Sequence, residues 1–178
     1  SADPLVDDPA RIGFKTEEYA SLSGIAPFKW ESTRGLGASF AYNTQEIPEG
    51  RLTGEELDHF LVDPVSKNGN VIINVGPDSY GVIPPEQQDP LSELGTWLNS
   101  NGEAIYGASP WVRDTNVQGR ELRYTHKDDA LYAVVFGSVE QGFTIEHPGE
   151  SWKKVEVLGA TVLNSEIQDG VLALHLDP

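Results

Sequence analysis

One segment of the chain has apolar residues at the spacing of an amphipathic helix, namely Leu57, Phe60 and Leu61. Thr53 is placed to cap this helix, because Glu56, three residues later, can complete a capping box. Pro64 lies where the helix should continue. Because proline removes a backbone hydrogen bond and clashes with the preceding turn, we expect the helix to kink or end there.

A second helix is predicted further along the chain. Pro84 or Pro85 should begin it, since proline is favoured at the first helical position. Pro90 lies in its early part, where only the first turn tolerates proline well. The apolar stripe of this helix consists of Leu91, Leu94 and Leu98.

Two apolar runs predict strands. Val71–Ile73 is β-branched and bounded by Asn-Gly and Gly-Pro pairs, which is typical of a fully buried parallel strand. The stretch 28–42 is largely aromatic and apolar and passes through Gly35 and Gly37 into a polar loop that ends in carboxylates. This second pattern predicts a buried strand that delivers a charged site at its C-terminal end.

Arg34 in that strand and Glu46 in the loop are the candidate functional residues. An isolated arginine is usually a partner in a surface ion pair, and a loop glutamate is usually only solvated. Taken alone, the stretch favours these structural interpretations.

From Trp111 onward the apolar residues recur every second position, which predicts short strands separated by Lys127-Asp128-Asp129, Gly149-Glu150 and Asp169-Gly170 turns. These strands should form a small antiparallel β-sandwich. A boundary near Ser109-Pro110-Trp111 divides the chain into residues 1–109 and 110–178. The predicted strands are Leu122–Thr125, Leu131–Phe136, Phe143–Glu146, Val155–Leu158 and Val171–Leu176.

Composition and charge narrow the function. With 178 residues, of which 38% are hydrophobic, the chain is long enough to bury a core. Its formal charge of -16 opposes binding to nucleic acids and to anionic membrane surfaces. No apolar run approaches the length of a membrane span. The expected partners are therefore neutral or cationic, with neither nucleic acid nor membrane among them.

The chain contains no cysteine, which excludes disulfides and thiolate metal sites. Its four histidines are not spaced as a metal-binding pair on one helical face. We therefore expect no metal and no cofactor. The compartment stays undetermined.

Several motifs follow one another in unbroken order from about Phe14 to Trp111, and together they resemble the α-L-fucosidases of glycoside hydrolase family 29. The resemblance rests on Phe14-Lys15-Thr16 with Glu18-Tyr19, Lys29-Trp30-Glu31, Thr33-Arg34-Gly35-Leu36-Gly37, Ser39-Phe40, Tyr42-Asn43, Val65-Ser66-Lys67-Asn68-Gly69-Asn70, Asn74-Val75-Gly76-Pro77, Ile83-Pro84 with Glu86-Gln87-Gln88, Leu94-Gly95, Trp97-Leu98 and Asn101-Gly102-Glu103-Ala104-Ile105-Tyr106-Gly107.

The resemblance implies a fold and a reaction. The fold would be the C-terminal part of a (β/α)8-like barrel over 1–109, an α/β unit, followed by an all-β sandwich over 110–178. The reaction would be hydrolysis of terminal α-L-fucosyl linkages of a fucosylated glycan or fucoside, with retained configuration. Such a reaction needs one carboxylate as nucleophile and a second carboxyl as acid and base.

By the same resemblance, Glu46 matches the acid/base of members with the Thr-Arg-Gly-x-Gly pattern, and Glu49 in the same loop is the second candidate. Arg34 matches an arginine that contacts the sugar, and its donor fork suits ring or hydroxyl oxygens. The alternative for Arg34 is a salt bridge that stabilises a barrel strand.

The nucleophile of the family lies upstream of the segment matching Phe14-Lys15-Thr16. Asp3 could take its place only with a short insertion and with flanks that do not match, and an Asp-Pro pair is an ordinary turn. A complete barrel takes about 250 residues and eight strands. We therefore expect this chain to be a C-terminal piece that works with the N-terminal part of the same enzyme. Homo-oligomerisation is left open.

Two interpretations from other classes remain. The sandwich could recognise carbohydrate, with Trp111 and Trp152 stacking on sugar rings, although both residues fit a core or a domain interface better. Alternatively, the chain could be a structural fragment that stabilises a catalytic partner without taking part in catalysis.

Overall fold

The computed structural model describes residues 15–111, 115–117, 120–137, 143–146, 154–158, 161–169 and 171–176. The first part of the chain is α/β. Its strands are β1 (Lys15–Glu18), β2 (Trp30–Gly35) and β3 (Gly69–Asn74), and its helices are α1 (Gly54–Ser66) and α2 (Pro85–Asn101), with short 3-10 turns at Pro48–Gly50 and Gly102–Ala104. The three strands form one parallel sheet in the order β1-β2-β3.

The rest of the described chain is all-β. Its strands are β4 (Ser109–Pro110), β5 (Thr115–Val117), β6 (Arg120–Lys127), β7 (Ala130–Val135), β8 (Phe143–Glu146), β9 (Val162–Gln168) and β10 (Val171–Leu176). Strands β4, β6 and β5 form one antiparallel sheet with β7 paired to β6, and β8, β10 and β9 form another. Ile145 of β8 packs against Leu122 and Tyr124 of β6, so the two sheets share a core. The α/β plus all-β class is confirmed.

Helix α1 begins as predicted. The Thr53 side chain accepts a hydrogen bond from the Glu56 backbone, and the Glu56 carboxylate accepts one from the Thr53 backbone at 2.8 Å, which completes the capping box. Leu57 is fully buried and packs with Leu36 and with Leu94 of α2. This cluster is the core beneath one face of the parallel sheet.

Two expectations about these elements need correction. Of the two outcomes expected at Pro64, a kink or an end, the end is wrong: helix α1 continues to Ser66, because only one backbone bond is lost in the last turn. The end of the helix is held by Ser66 Oγ, which donates to the Asp63 carbonyl at 2.7 Å. Strand β3 is parallel as predicted but not fully buried, since Ile72 is 46% exposed. Among the described strands β3 pairs only with β2, and the helices cover one face.

The second helix agrees with its prediction. Pro84 is the N-cap of α2 and Pro85 its first residue. Pro90 lies inside the helix, beyond its first turn, and is buried; the helix nevertheless runs on to Asn101. Proline there costs one backbone hydrogen bond without ending the element.

In the all-β part, four of the five predicted runs fall on strands, and one prediction is wrong. Val155–Leu158 is not a strand, whereas β9 was missed. Alternation of apolar residues in a short run is also compatible with a loop, and β9 is mostly exposed and polar, so it lacks the pattern. The Lys127-Asp128-Asp129 turn and the Asp169 turn both connect hairpins, as expected.

The junction of α1 with β3 explains the role of the motif Val65-Ser66-Lys67-Asn68-Gly69-Asn70. Trp30 of β2 is completely buried and donates its indole N–H to the Lys67 carbonyl at 2.9 Å. Asn68, in the left-handed region with φ 72, donates to the carbonyls of Ala26 and Phe28. A Cβ on Gly69 would lie 2.6 Å from the Trp30 ring, so only glycine fits. The motif stabilises the sheet.

A charge network, buried at Asp63 and Lys67 and partly exposed at Glu121 and His59, connects the α/β part to the all-β part. Asp63 of α1 accepts hydrogen bonds from Ser21, from Lys67 and, at 2.6 Å, from Arg123 of β6. Arg123 also pairs with Glu121, which lies 2.9 Å from His59 of α1. Burial alone would raise the pKa of Asp63, but these hydrogen bonds outweigh it and lower the pKa below its usual value.

In the described ranges, no helix is long and apolar enough to cross a bilayer.

Candidate active site

The candidate site lies at the C-terminal ends of the parallel strands, which is where α/β folds place their ligands. The loop that follows β2 closes on itself, because Leu52 N donates to the Leu36 carbonyl at 2.9 Å. Glu46 lies within this loop, just before the 3-10 turn Pro48–Gly50. The loop therefore holds Glu46 close to the end of β2.

The Glu46 carboxylate has a defined position. Its Oε1 accepts a hydrogen bond from the Ala38 backbone N–H at 2.7 Å. The side chain is only 10% exposed. A Cβ on Gly37 would come within 2.0 Å of Oε1, so this glycine leaves the space that the carboxylate fills. Gly37 is therefore part of the structure around Glu46.

Arg51 is the cation beside Glu46. One of its terminal nitrogens donates to the Glu46 carbonyl at 3.2 Å and lies 3.6 Å from Glu86 Oε1. Its Nε lies 3.7 Å from Glu46 Oε2. Arg51 thus connects the loop after β2 with the N-terminus of α2. Sequence reasoning missed it, because only the fold of the loop shows that its side chain turns back toward Glu46.

The loop after β3 supports the same region. The buried Gln87 side chain of α2 accepts from Gly76 N at 2.8 Å and faces the Gly76 carbonyl at 3.5 Å. A Cβ on Gly76 would lie 2.6 Å from Tyr42 N, and Asn74 donates to the Phe40 carbonyl. The two loops at this end of the sheet are therefore in direct contact.

Arg34 lies in a different environment from Glu46. Its guanidinium lies 5.3 Å from the ring centroid of Tyr19 and 5.5 Å from that of Phe60, and its Nε donates to the Gly35 carbonyl. Arg34 lines a cavity of about 480 Å³ between α1, the start of the β1–β2 connection and Phe136. Glu46 does not line this cavity, and Arg34 and Glu46 have different hydrogen-bond partners: the Gly35 carbonyl for Arg34 and the Ala38 N–H for the Glu46 carboxylate.

The remaining candidates divide into three groups. Glu49 is exposed, and its side chain makes no hydrogen bond or ion pair with any described residue. Asp3 and Trp152 lie outside the described residues. Trp111 packs in the all-β core and meets the His126 ring edge-on at 5.5 Å, as a core residue would.

Two further observations concern charge. No cluster of three or more histidine or acidic side chains that could hold a metal occurs in the part of the chain that the structure describes. Between α1 and α2, burial, followed by the nearby charges of Glu93 and Glu55, raises the pKa of Asp58 to about 6. Sequence reasoning missed this shift, because it depends on how the two helices pack.

Comparison with known proteins adds a family to this geometry. A family model described as α-L-fucosidase matches residues 4–103, which is more than half of the chain. The chain belongs to the α-L-fucosidase family. The matched segment contains β1, β2, β3, α1 and α2, together with Arg34 and Glu46.

Named relatives agree with this membership of the fucosidase family. The α-L-fucosidase of Dictyostelium discoideum is 35% identical over 144 residues, which are 80% of this chain and 30% of that protein. The plasma α-L-fucosidase of Rattus norvegicus is 34% identical over 143 residues, with 76% and 31% covered. The tissue α-L-fucosidase of Homo sapiens is 31% identical over 149 residues, with 82% and 32% covered.

Solved structures of α-L-fucosidases resemble this chain beyond residues 4–103. The Thermotoga maritima α-fucosidase in complex with a mechanism-based inhibitor superposes with a TM-score of 0.74 at 36% identity, covering 92% of this chain and 38% of that one. The α-L-fucosidase isoenzyme 1 of Paenibacillus thiaminolyticus gives a TM-score of 0.72 at 24% identity, which shows the fold alone. This chain therefore spans about a third of the length of the relatives that it matches.

Proposed function

We propose that this chain is part of a retaining α-L-fucosidase that removes terminal α-L-fucosyl residues from a glycan or fucoside. The observation that supports this most is the position of Glu46, a well-held carboxylate at the C-terminal ends of parallel strands in a fucosidase-family chain. Glu46 would be the acid/base. Glu49, exposed and unsupported, is the weaker candidate.

The architecture proposed for the whole enzyme follows from the order of the elements. A parallel sheet with a helix after β2 and another after β3 suits the C-terminal portion of a (β/α)8-like barrel over 1–109. The two antiparallel sheets that share a core suit a β-sandwich over 110–178.

The proposed reaction has two steps. In the first, a carboxylate nucleophile bonds to the anomeric carbon, the glycosidic C–O bond breaks, and the leaving oxygen takes the proton of Glu46. In the second, Glu46 as a carboxylate takes a proton from water while the water oxygen bonds to the anomeric carbon and displaces the nucleophile. The nucleophile would come from an upstream part of the fold.

The proposed role of Arg34 is to contact the sugar. The support is that its two terminal nitrogens have no ion-pair partner within the described ranges, so their donors remain available. A structural role is favoured by a different observation: the guanidinium lies against the rings of Tyr19 and Phe60 and so connects the sheet to α1.

The proposal is tested by complementation. We expect the chain alone to lack useful activity on an aryl α-L-fucoside, because without a nucleophile the covalent route is closed. Mixing or joining it with the upstream part of the fold gives what is called here the assembled enzyme, which should be active. Robust turnover by the pure chain, abolished by changing Asp3, would contradict this and make Asp3 the nucleophile.

A further inference from the structure

Arg51 carries a buried donor that the fold leaves unused. Its Nε lies 3.7 Å from Glu46 Oε2, which is too long for a hydrogen bond. This nitrogen is buried and has no hydrogen-bond partner among the described residues. A buried donor without a partner is costly, and its retention points to a state of the molecule in which it is satisfied.

The two oxygens of Glu46 are held differently. Oε1 accepts from Ala38 N–H at 2.7 Å, so a protonated Glu46 would carry its proton on Oε2. In that state Oε2 is an uncharged hydroxyl oxygen, which is a weaker acceptor for the Arg51 Nε–H than a carboxylate oxygen. Once Oε2 has lost its proton it becomes a charged acceptor, and a charge-assisted bond from Nε–H becomes favourable.

We propose that Arg51 is a positioning residue that holds the Glu46 loop throughout the reaction and binds Oε2 after proton transfer. The inference rests on the proposed function of Glu46. When the glycosidic C–O bond breaks, the proton of Oε2 passes to the leaving oxygen and Glu46 becomes a carboxylate. Arg51 Nε–H then closes the 3.7 Å gap and orients this carboxylate toward water. The bond opens again when Oε2 receives a proton from that water.

The backbone contact explains how Arg51 can act without entering the reaction. Its terminal nitrogen already donates to the Glu46 carbonyl at 3.2 Å, so the guanidinium is anchored next to the carboxylate. Glu86, 3.6 Å away on α2, adds an acidic neighbour on the other side. Only a small movement of an anchored group is required. The point-like ammonium of lysine does not reproduce the planar fork that reaches both the carbonyl and the carboxylate.

The test compares Arg51→Gln and Arg51→Lys in the assembled enzyme, using fucosides with poor and with activated leaving groups. Both variants should slow the poor substrates by on the order of tenfold to a hundredfold, since misplacing an acid by about an ångström costs that much. Turnover of activated fucosides depends on the second step, so the variants should slow these too, and azide, which needs no base, should relieve that loss. Glu86→Gln is the matched control, because it removes the other acidic neighbour of Arg51 and should have a small effect on both substrates.

A double-variant experiment separates positioning from a merely structural role. In the Glu46→Ala enzyme no acid is left to position. Adding Arg51→Gln should therefore not change any further how turnover depends on the leaving group. The same factor in both backgrounds, or a loss on activated fucosides that azide does not relieve, would overturn the inference. If Glu46→Ala itself leaves that dependence unchanged, both the proposed acid/base and this inference fail. If Glu46→Ala slows the poor substrates as expected but Arg51→Gln leaves turnover unchanged, only the positioning role of Arg51 is excluded.

Discussion

At the scale of single residues, the Glu46 carboxylate occupies the space that a side chain at position 37 would need. Gly37→Ala would place a methyl group 2.0 Å from the resting position of Oε1, so the carboxylate must move away from Ala38 N–H. We expect turnover of the assembled enzyme to fall by on the order of tenfold or more, because an acid/base acts only within hydrogen-bond reach. Steady-state kinetics on a poor substrate measures this.

Gly24→Ala is the control for that experiment, since an added Cβ there meets nothing within 4 Å. It should leave turnover unchanged. Equal activity of the Gly37→Ala and Gly24→Ala enzymes would show that the observed position of Glu46 is not the one used in the reaction.

Arg34 is tested by a substitution that keeps its charge. If its fork binds the sugar and tightens in the transition state, Arg34→Lys should lower kcat/KM of the assembled enzyme by on the order of a hundredfold. A sugar contact and a contact with Tyr19 and Phe60 predict different outcomes. Unchanged kinetics together with a lower melting temperature would support the structural role that the ring contacts favour.

The sequence predicted the site residues that lie in local motifs, but not those whose partners are distant along the chain. Glu46 and Arg34 were found because they lie in motifs that can be recognised along the chain. Arg51, Asp63 and Arg123 were not, because their partners depend on how a loop closes and on how β6 packs against α1. Long-range ion pairs leave no local pattern.

At the scale of elements, the packing of α1 against α2 should depend on pH. Burial and neighbouring acids raise the pKa of Asp58 from 3.8 to about 6, so between these values the folded chain binds more protons than the unfolded chain. The contribution of Asp58 to the free energy of unfolding therefore decreases as pH rises from about 4 to 6.

Asp58→Asn should remove the loss of stability that follows from ionising the Asp58 carboxyl. We expect the free energy of unfolding to rise by about 1 kcal/mol at pH 7, after discounting for the solvent screening of a partly exposed group, and to change little at pH 4. Urea denaturation at both pH values measures it. Asp89→Asn, at an exposed position on α2, should change stability by less than about 0.5 kcal/mol at either pH. An equal gain at pH 4 and pH 7 would exclude the titration of Asp58 as the cause.

Elements with strong local signals were predictable from the sequence, and those without were not. The capping box of α1 and Pro85 at the start of α2 gave those helices definite beginnings. Strand β9 has no apolar alternation, since its partner β10 supplies the backbone bonds and most of its side chains face solvent. Val155–Leu158 alternates without a partner strand in the described chain and remains irregular.

At the scale of the whole molecule, the described sheet has the edges of an incomplete unit. Strands β1 and β3 each pair only with β2 among the described strands, and Ile72 is 46% exposed. Exposed parallel edges favour pairing with further strands. The chain also spans only 30% of a relative such as the Dictyostelium discoideum enzyme. Both observations support a place within a larger protein of the α-L-fucosidase family.

The most direct test is azide rescue of Glu46→Ala in the assembled enzyme. Loss of the acid/base should slow poor substrates severely and leave the covalent intermediate without a base to activate water. Azide needs no base, so it should restore turnover of an activated aryl fucoside and give α-L-fucosyl azide of retained configuration. Glu49→Ala should show none of this. Rescue of Glu49→Ala instead would move the role to Glu49, and rescue of neither variant would place the acid/base outside this chain.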